Sequence, residues 1–176
     1  MKDIVLEMKE VTKKFNKRTI IDKLSLSIES GVIYGFLGEN GVGKTTTIKM
    51  ILHLISKDSG KIYINGIDID VHYDEALKYV GAIVENPDLY SYLTGIENLK
   101  LFARIRGIDS KRIDEMVKLT NLGNRIYDKV KTYSLGMKQR LGIAVSLLSK
   151  PKLLILDEPT NRTRSCWNKR IKKRIN

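Results

Sequence analysis

The sequence predicts an α/β fold in which buried strands come first, a helical insertion follows, and the chain then returns to strand. Three observations carry this. VIYGFL (Val32–Leu37) is an almost unbroken apolar run, as expected of a parallel strand buried on both faces. A glycine-rich loop follows it and leads into Ile48, Ile51, Leu52 and Ile55 at helical spacing. Between about Pro87 and Val130 the texture turns helical, after which LLILD (Leu153–Asp157) reads as a last buried strand.

The other elements fit around these. From Ile4 to Val11 apolar and polar residues roughly alternate, as in a half-exposed strand, and Leu24, Leu26 and Ile28 repeat the pattern. KIYING (Lys61–Gly66) is a strand entering a turn, and YVGAIV (Tyr79–Val84) is another buried strand. Thr94 and Glu97 form a capping box that opens a helix through Arg106, with Gly107 to stop it. Asp109 or Ser110 starts a second helix, carried by Ile113, Met116, Val117 and Leu119. A third runs from Ser134 to Ser149 and is closed by Pro151, so the helical subdomain covers about 87–150. No internal repeat or low-complexity stretch interrupts the pattern.

Composition narrows the function. No apolar run approaches the roughly 18–20 residues needed to span a bilayer, and MKDIVLEMKE is too acidic for a signal peptide, so a cytoplasmic location is expected. The lone cysteine, Cys166, cannot form an internal disulfide. The net charge of +12 would ordinarily suggest a nucleic-acid or acidic-membrane partner. Seven of the 32 Lys and Arg, however, lie in residues 162–176, which hold no acid, leaving only +5 for the rest. That tail also holds the only Trp, Trp167, and is foreign in composition to residues 1–161, so no nucleic-acid partner is expected.

GENGVGKT (Gly38, Glu39, Asn40, Gly41, Val42, Gly43, Lys44, Thr45), with Thr46 following, fits G-x-x-x-x-G-K-[ST] between a strand and an amphipathic helix. Glycines let successive backbone N–H groups turn inward around phosphate oxygens, and the helix N-terminus adds positive partial charge. Lys44 would reach the β- and γ-phosphates, and Thr45 would place its hydroxyl on Mg²⁺. A nucleotide site is expected, with Mg²⁺ beside the phosphates.

From Ile4 to Asn161 the chain resembles the ABC ATPases, and the fold this implies is a P-loop NTPase core of ABC-ATPase type with a helical subdomain. The resemblance rests on the phosphate loop, on TYSLGMKQRLGIA (Thr132–Ala144) and on LLILDEPTN (Leu153–Asn161). It implies that Phe15, which by itself reads as a core residue, stacks on adenine. It implies that Ser134, Gly136 and Gln139, the first by itself an N-cap, face the γ-phosphate held by a second ATP-binding subunit in a head-to-tail dimer. Asp157 would orient a water on Mg²⁺, and Glu158 would be the general base. Where the family usually has Gln, this chain has Glu85, which keeps an oxygen ligand for Mg²⁺, adds a negative charge and loses the amide donor. The family couples this position to a membrane-spanning permease, which implies a location at the inner face of the membrane. Glu85 together with SLGMKQ is similar to the ATP-binding subunits of bacitracin- and lantibiotic-protection exporters. His53 and His72 read as surface or packing residues.

After DEPTN the family continues with Gly-Leu-Asp-Pro, further core strands and a switch histidine, none of which follows here. Codons exist for which removal of one base converts NRTRSCWNKRIKKRIN into NGLDPVGIKELRKEL, restoring that loop and a helix. The expectation is therefore a domain at 1–161 lacking its C-terminal core strands, and a frameshifted tail at 162–176. The rival is a genuine basic patch, KRIKKRIN, for nucleic acid or acidic lipid. In the family the missing strand lies between the phosphate-loop strand and LLILD. Its loss would leave backbone groups unpaired at about 1–3 kcal/mol each, against a net stability of about 5–15 kcal/mol. Two activities follow: an ATP-hydrolysing exporter subunit, or a non-hydrolytic truncated remnant of one, inert or dominant-negative. A chromosome-type ATPase of the same family is disfavoured, because the 85–134 insertion carries no coiled-coil heptads.

Overall fold

The computed structural model describes residues 3–16, 18–39 and 41–157. The tail at 162–176, Asn40 and Glu158 lie outside the described residues. Contacts divide the chain into two compact units, one reaching Val80 and the other starting at Gly81.

The first unit is built on an antiparallel sheet. Strand β1 (Ile4–Phe15) pairs with β2 (Arg18–Glu29) on one side and with β3 (Ser59–Ile64) on the other. A short β4 (Ile67–Asp68) extends the sheet in the order β2-β1-β3-β4. Between β2 and β3 runs helix α1 (Lys44–Ile51), and α2 (Tyr73–Leu77) follows β4. β1 continues four residues beyond the apolar alternation that ends at Val11. It does so through Thr12 and Lys13, both buried. Bulges bend the β1–β2 ladder, with Glu10 at φ 47° and Lys23 at φ 44°. Side chains close the gaps they leave: Ser25 Oγ accepts from Glu10 N–H at 2.9 Å, and Thr12 Oγ1 accepts from Lys23 N–H at 3.1 Å. Asn65 and Gly66, both at positive φ, make the turn expected at the end of KIYING.

The second unit joins a strand pair to a helical cluster. β5 (Val80–Ile83) lies beside β6 (Leu153–Leu156). Between them come α3 (Gly95–Ile105), α4 (Ser110–Thr120), two short 3₁₀ turns, and α5 (Leu135–Ser146). Leu99, Ala103, Met116, Ile126, Leu141 and Leu148 form the centre of its core. The expected caps are present. Thr94 and Glu97 make the reciprocal capping box, Asp109 accepts from Lys111 N–H, and Ser134 accepts from Met137 N–H. Gly107 follows α3 at φ 64°, the left-handed conformation a helix stop requires.

Three expectations need correction. Val32–Leu37 does not form a strand. Among the described residues nothing pairs with it, and its apolar side chains are exposed, Leu37 by 93% and Ile33 by 64%. An apolar run becomes a doubly buried strand only when neighbours take its backbone groups, and the six described strands offer none beside it. Helix α1 stops at Ile51, short of Ile55, because His53 turns to φ 55°; its buried residues are Thr47, Met50 and Ile51. Helix α5 ends at Ser146, where Arg112 donates to the carbonyls of Leu147 at 2.7 Å and Leu148 at 3.2 Å.

Candidate functional site

The phosphate-loop sequence folds into a cradle at the start of α1. Gly41 and Gly43 take φ 85° and 95°, values that side chains rarely allow. Gly43 is the N-cap residue, and no side chain caps the helix and no acid stands in its first turn. A helix start with no side-chain cap and no nearby acid suits an anion. Thr47 Oγ1 turns back to Gly43 O at 2.9 Å, which fixes the first turn. Lys44 Nζ donates to the carbonyls of Gly38 and Glu39, both at 2.7 Å, so its charge lies across the loop that phosphates would enter. Glu39 and Val42 are exposed, and Thr45 and Thr46 are half-buried in the first turn. Uncapped donors, positive-φ glycines and one lysine suit a polyphosphate.

This cradle is anchored to β2. A Cβ on Gly43 would lie 3.1 Å from Ile21 Cγ1 and 3.2 Å from Ile20 Cγ2. Two residues before Ile20, Arg18 pairs with Phe15 across the hairpin. The aromatic ring and the phosphate loop are therefore joined through a few residues of one strand, roughly 7–10 Å of its length. Phe15 is 48% exposed, unlike a core phenylalanine.

In the second unit, Asp157 N–H donates to Ile83 O at 2.9 Å, which puts Asp157 at the C-terminal end of the β5–β6 pair. Glu85 leaves the same end two residues after Ile83, with φ 60°. The two carboxylate residues thus emerge from adjacent strands at one end of the pair, where ligands of α/β sheets are commonly held. The loop carrying Glu85 is tied down twice. Pro87 packs against Gly142 of α5, where a Cβ would lie 2.7 Å from Pro87 Cγ. Asn98, wholly buried, accepts from Tyr90 N–H at 2.9 Å and donates to the carbonyls of Tyr90 at 3.1 Å and Thr94 at 2.9 Å.

Ser134 Oγ accepts from Met137 N–H at 3.3 Å, and the first turn of α5 carries no acid. Its hydroxyl proton and the remaining leading N–H groups can still meet an anion. Gly136 is half-buried, and its carbonyl accepts from Arg140 Nε. Gln139 is half-buried with its amide oxygen turned inward and unpartnered among the described residues, while Arg140 Nη1 donates to Asn121 O at 3.1 Å. Of the expected site residues, the structure groups Gly38, Glu39, Gly41, Val42, Gly43, Lys44, Thr45 and Thr46 in one loop. It separately brings Glu85 and Asp157 to one strand end. The sequence reading missed Lys13 and Asn98. Asn98 left only a weak signal, a polar residue on the buried face of a helix.

Comparison with known proteins places the chain in a family. The ABC transporter family model matches residues 21–161. The uncharacterised ABC transporter ATP-binding protein YhcH of Bacillus subtilis is 56% identical over 158 residues, 89% of this chain and 52% of that protein. The bacitracin transport ATP-binding protein BcrA of Bacillus licheniformis is 47% identical, with the same coverage of 89% and 52%. A dimeric ATP-binding cassette, solved in a post-hydrolysis state with ADP and Pi, superposes with a TM-score of 0.80 at 28% identity. The match covers 94% of this chain and 79% of that one. The chain spans about half the length of these curated relatives, 52% of each. The match over residues 21–161, together with the phosphate cradle on α1, shows that this chain belongs to the ABC transporter family.

Proposed function

We propose that the chain is an ATP-binding, ATP-hydrolysing subunit of an ABC exporter. The observation that carries the reading is the cradle at α1, with uncapped helix donors, two left-handed glycines and Lys44 folded onto the Gly38 and Glu39 carbonyls. ATP would displace Lys44 from those carbonyls, so that its ammonium meets the β- and γ-phosphates instead. The N–H groups from Gly38 to Thr46, Asn40 included, would surround the phosphate oxygens, and Phe15 would stack on adenine. By the family resemblance, Thr45, Glu85 and Asp157 would each be an oxygen donor for Mg²⁺, which would supply charge neutralisation on the phosphates when bound. Glu158 would take the proton of the attacking water.

One chain supplies one half of such a site. Ser134, Gly136 and Gln139, at the start of α5, would face the nucleotide of a second ATP-binding subunit, where α5's leading N–H groups complement phosphate charge. The loop at Glu85 would transmit closure to a membrane-spanning permease, holding the subunit at the cytoplasmic face. No helix among the described residues is long and apolar enough to cross a membrane itself. The likeness to a bacitracin transport protein supports an antimicrobial peptide or drug as cargo. A second reading, a non-hydrolytic remnant that binds nucleotide without turnover, is favoured by the exposed run Val32–Leu37.

Full-length chain with ATP and Mg²⁺ separates the two. The exporter reading expects magnesium-dependent phosphate release, abolished by Glu158→Gln with ATP binding retained. Lys44→Ala should cost at least about tenfold in ATP affinity, since it removes a charge-assisted contact of about 1.5–3 kcal/mol. Binding without turnover in the unaltered chain supports the remnant, and absence of both refutes the nucleotide site.

A further inference from the structure

We propose that Lys13 is a positioning residue for nucleotide binding, holding Phe15 from beneath so that the ring's exposed side presents a ready platform for a purine. The inference rests on the nucleotide reading above and adds a residue that the motifs do not single out.

Lys13 is charged, yet its side chain is only 10% exposed. Burial of an ammonium demands partners. One is Asp58 Oδ1 at 3.7 Å, a loose contact to a carboxylate that is itself 45% exposed. The other is the face of Phe15, whose ring centroid lies 5.1 Å from Lys13 Nζ, within cation–π range. Asp58 is held in turn. Its N–H donates to Thr12 O at 2.9 Å, and its Oδ2 accepts from Lys14 N–H at 2.6 Å. Asp58 thus fastens the backbone on both sides of Lys13, through its N–H on one side and its carboxylate on the other, and the carboxylate aims the ammonium.

Phe15 is the last residue of β1, paired with Arg18 and with nearly half its surface open. A ring at a hairpin end would otherwise turn among rotamers, and ordering it would weaken any ligand that stacks on it. The ammonium on one face removes that freedom. It also draws π-density toward itself, which makes the opposite face a better partner for an electron-rich base. The ligand class is a purine nucleotide, with its phosphates on the Gly43 cradle that β2 anchors.

The test compares two probes on the full-length chain, ATP and inorganic tripolyphosphate, the second of which reads the phosphate cradle alone. Lys13→Met keeps the stem and removes the charge. It should weaken ATP about three- to fivefold and leave tripolyphosphate unchanged, and Lys13→Arg should restore ATP affinity. In a Phe15→Ala background, Lys13→Met should have no further effect. Unchanged ATP affinity in Lys13→Met overturns the proposal. Equal loss of both probes also overturns it, because Lys13 would then be supporting the fold generally. A chain that binds tripolyphosphate but prefers ATP no more than tripolyphosphate refutes the platform itself, and with it the role of Lys13. One that binds neither probe refutes the nucleotide site.

Discussion

Gly142 shows how a single methyl group can decide a sign. In mid-helix, glycine to alanine ordinarily gains about 1 kcal/mol. Here the added Cβ would crowd Pro87, at 2.7 Å from its Cγ, and approach Ile83 Cδ1 at 3.5 Å. Overpacking of that kind costs about 1–3 kcal/mol and outweighs the helix term. Gly142→Ala should therefore lower the melting temperature, and limited proteolysis should cut more readily near Pro87. A stabilised Gly142→Ala would show that the loop yields freely. The same scale explains what the sequence could reveal about the site. GENGVGKT is legible because its chemistry is backbone chemistry, written in consecutive residues. Lys13 is not, because a lysine in TKKF reads as exposed. Its burial depends on Asp58, far along the chain, and on a ring two positions away.

At the scale of elements, helix caps and the Gly107 stop were legible, and the ends of α1 and α5 were not. Thr94 and Glu97 lie within one turn, so the capping box is complete before any tertiary contact forms: Thr94 N–H donates to Glu97 Oε2 at 2.7 Å, and Glu97 N–H to Thr94 Oγ1 at 3.2 Å. The end of α5 depends on Arg112 of another helix, and the five-residue α2 left no side-chain cap to find. The caps carry a pH dependence. The backbone N–H of Thr94, then its hydroxyl, holds the Glu97 carboxyl below the usual carboxylate range. The N–H of Lys111, then the Ser110 hydroxyl, does the same for Asp109. Each carboxyl binds its proton more weakly folded than unfolded. The stability they lend is whole above the ordinary carboxylate range and is lost as pH falls through the lowered values. Thermal melts should weaken as pH falls through the ordinary carboxylate range and below it. Thr94→Ala should cost about 1 kcal/mol at neutral pH and flatten part of that decline. An unchanged slope in Thr94→Ala would mean other groups govern acid stability.

For the whole molecule, the decisive feature is the one where pattern and structure part. Val32–Leu37 has the composition of a central strand, but composition states only what a segment would gain by burial. Whether it is buried depends on neighbouring backbone, which a local pattern cannot encode. Exposed here are Val32, Ile33, Tyr34, Phe36 and Leu37, a contiguous apolar stretch of the kind that marks association. It runs directly into Gly38, so the cradle that reads as the nucleotide site is entered from an unpaired segment. The full-length chain should bind an apolar-surface dye and self-associate with rising concentration. Ile33→Asp combined with Leu37→Asp should reduce both, at a stability change within about 0.5 kcal/mol, because substitutions at exposed sites cost little. If the segment were a buried, paired strand, the same pair of charges would cost several kcal/mol and abolish folding, since unpartnered buried carboxylates are not tolerated. Chemical denaturation of the double variant beside the unaltered chain therefore measures directly whether this segment is exposed or buried against a neighbour.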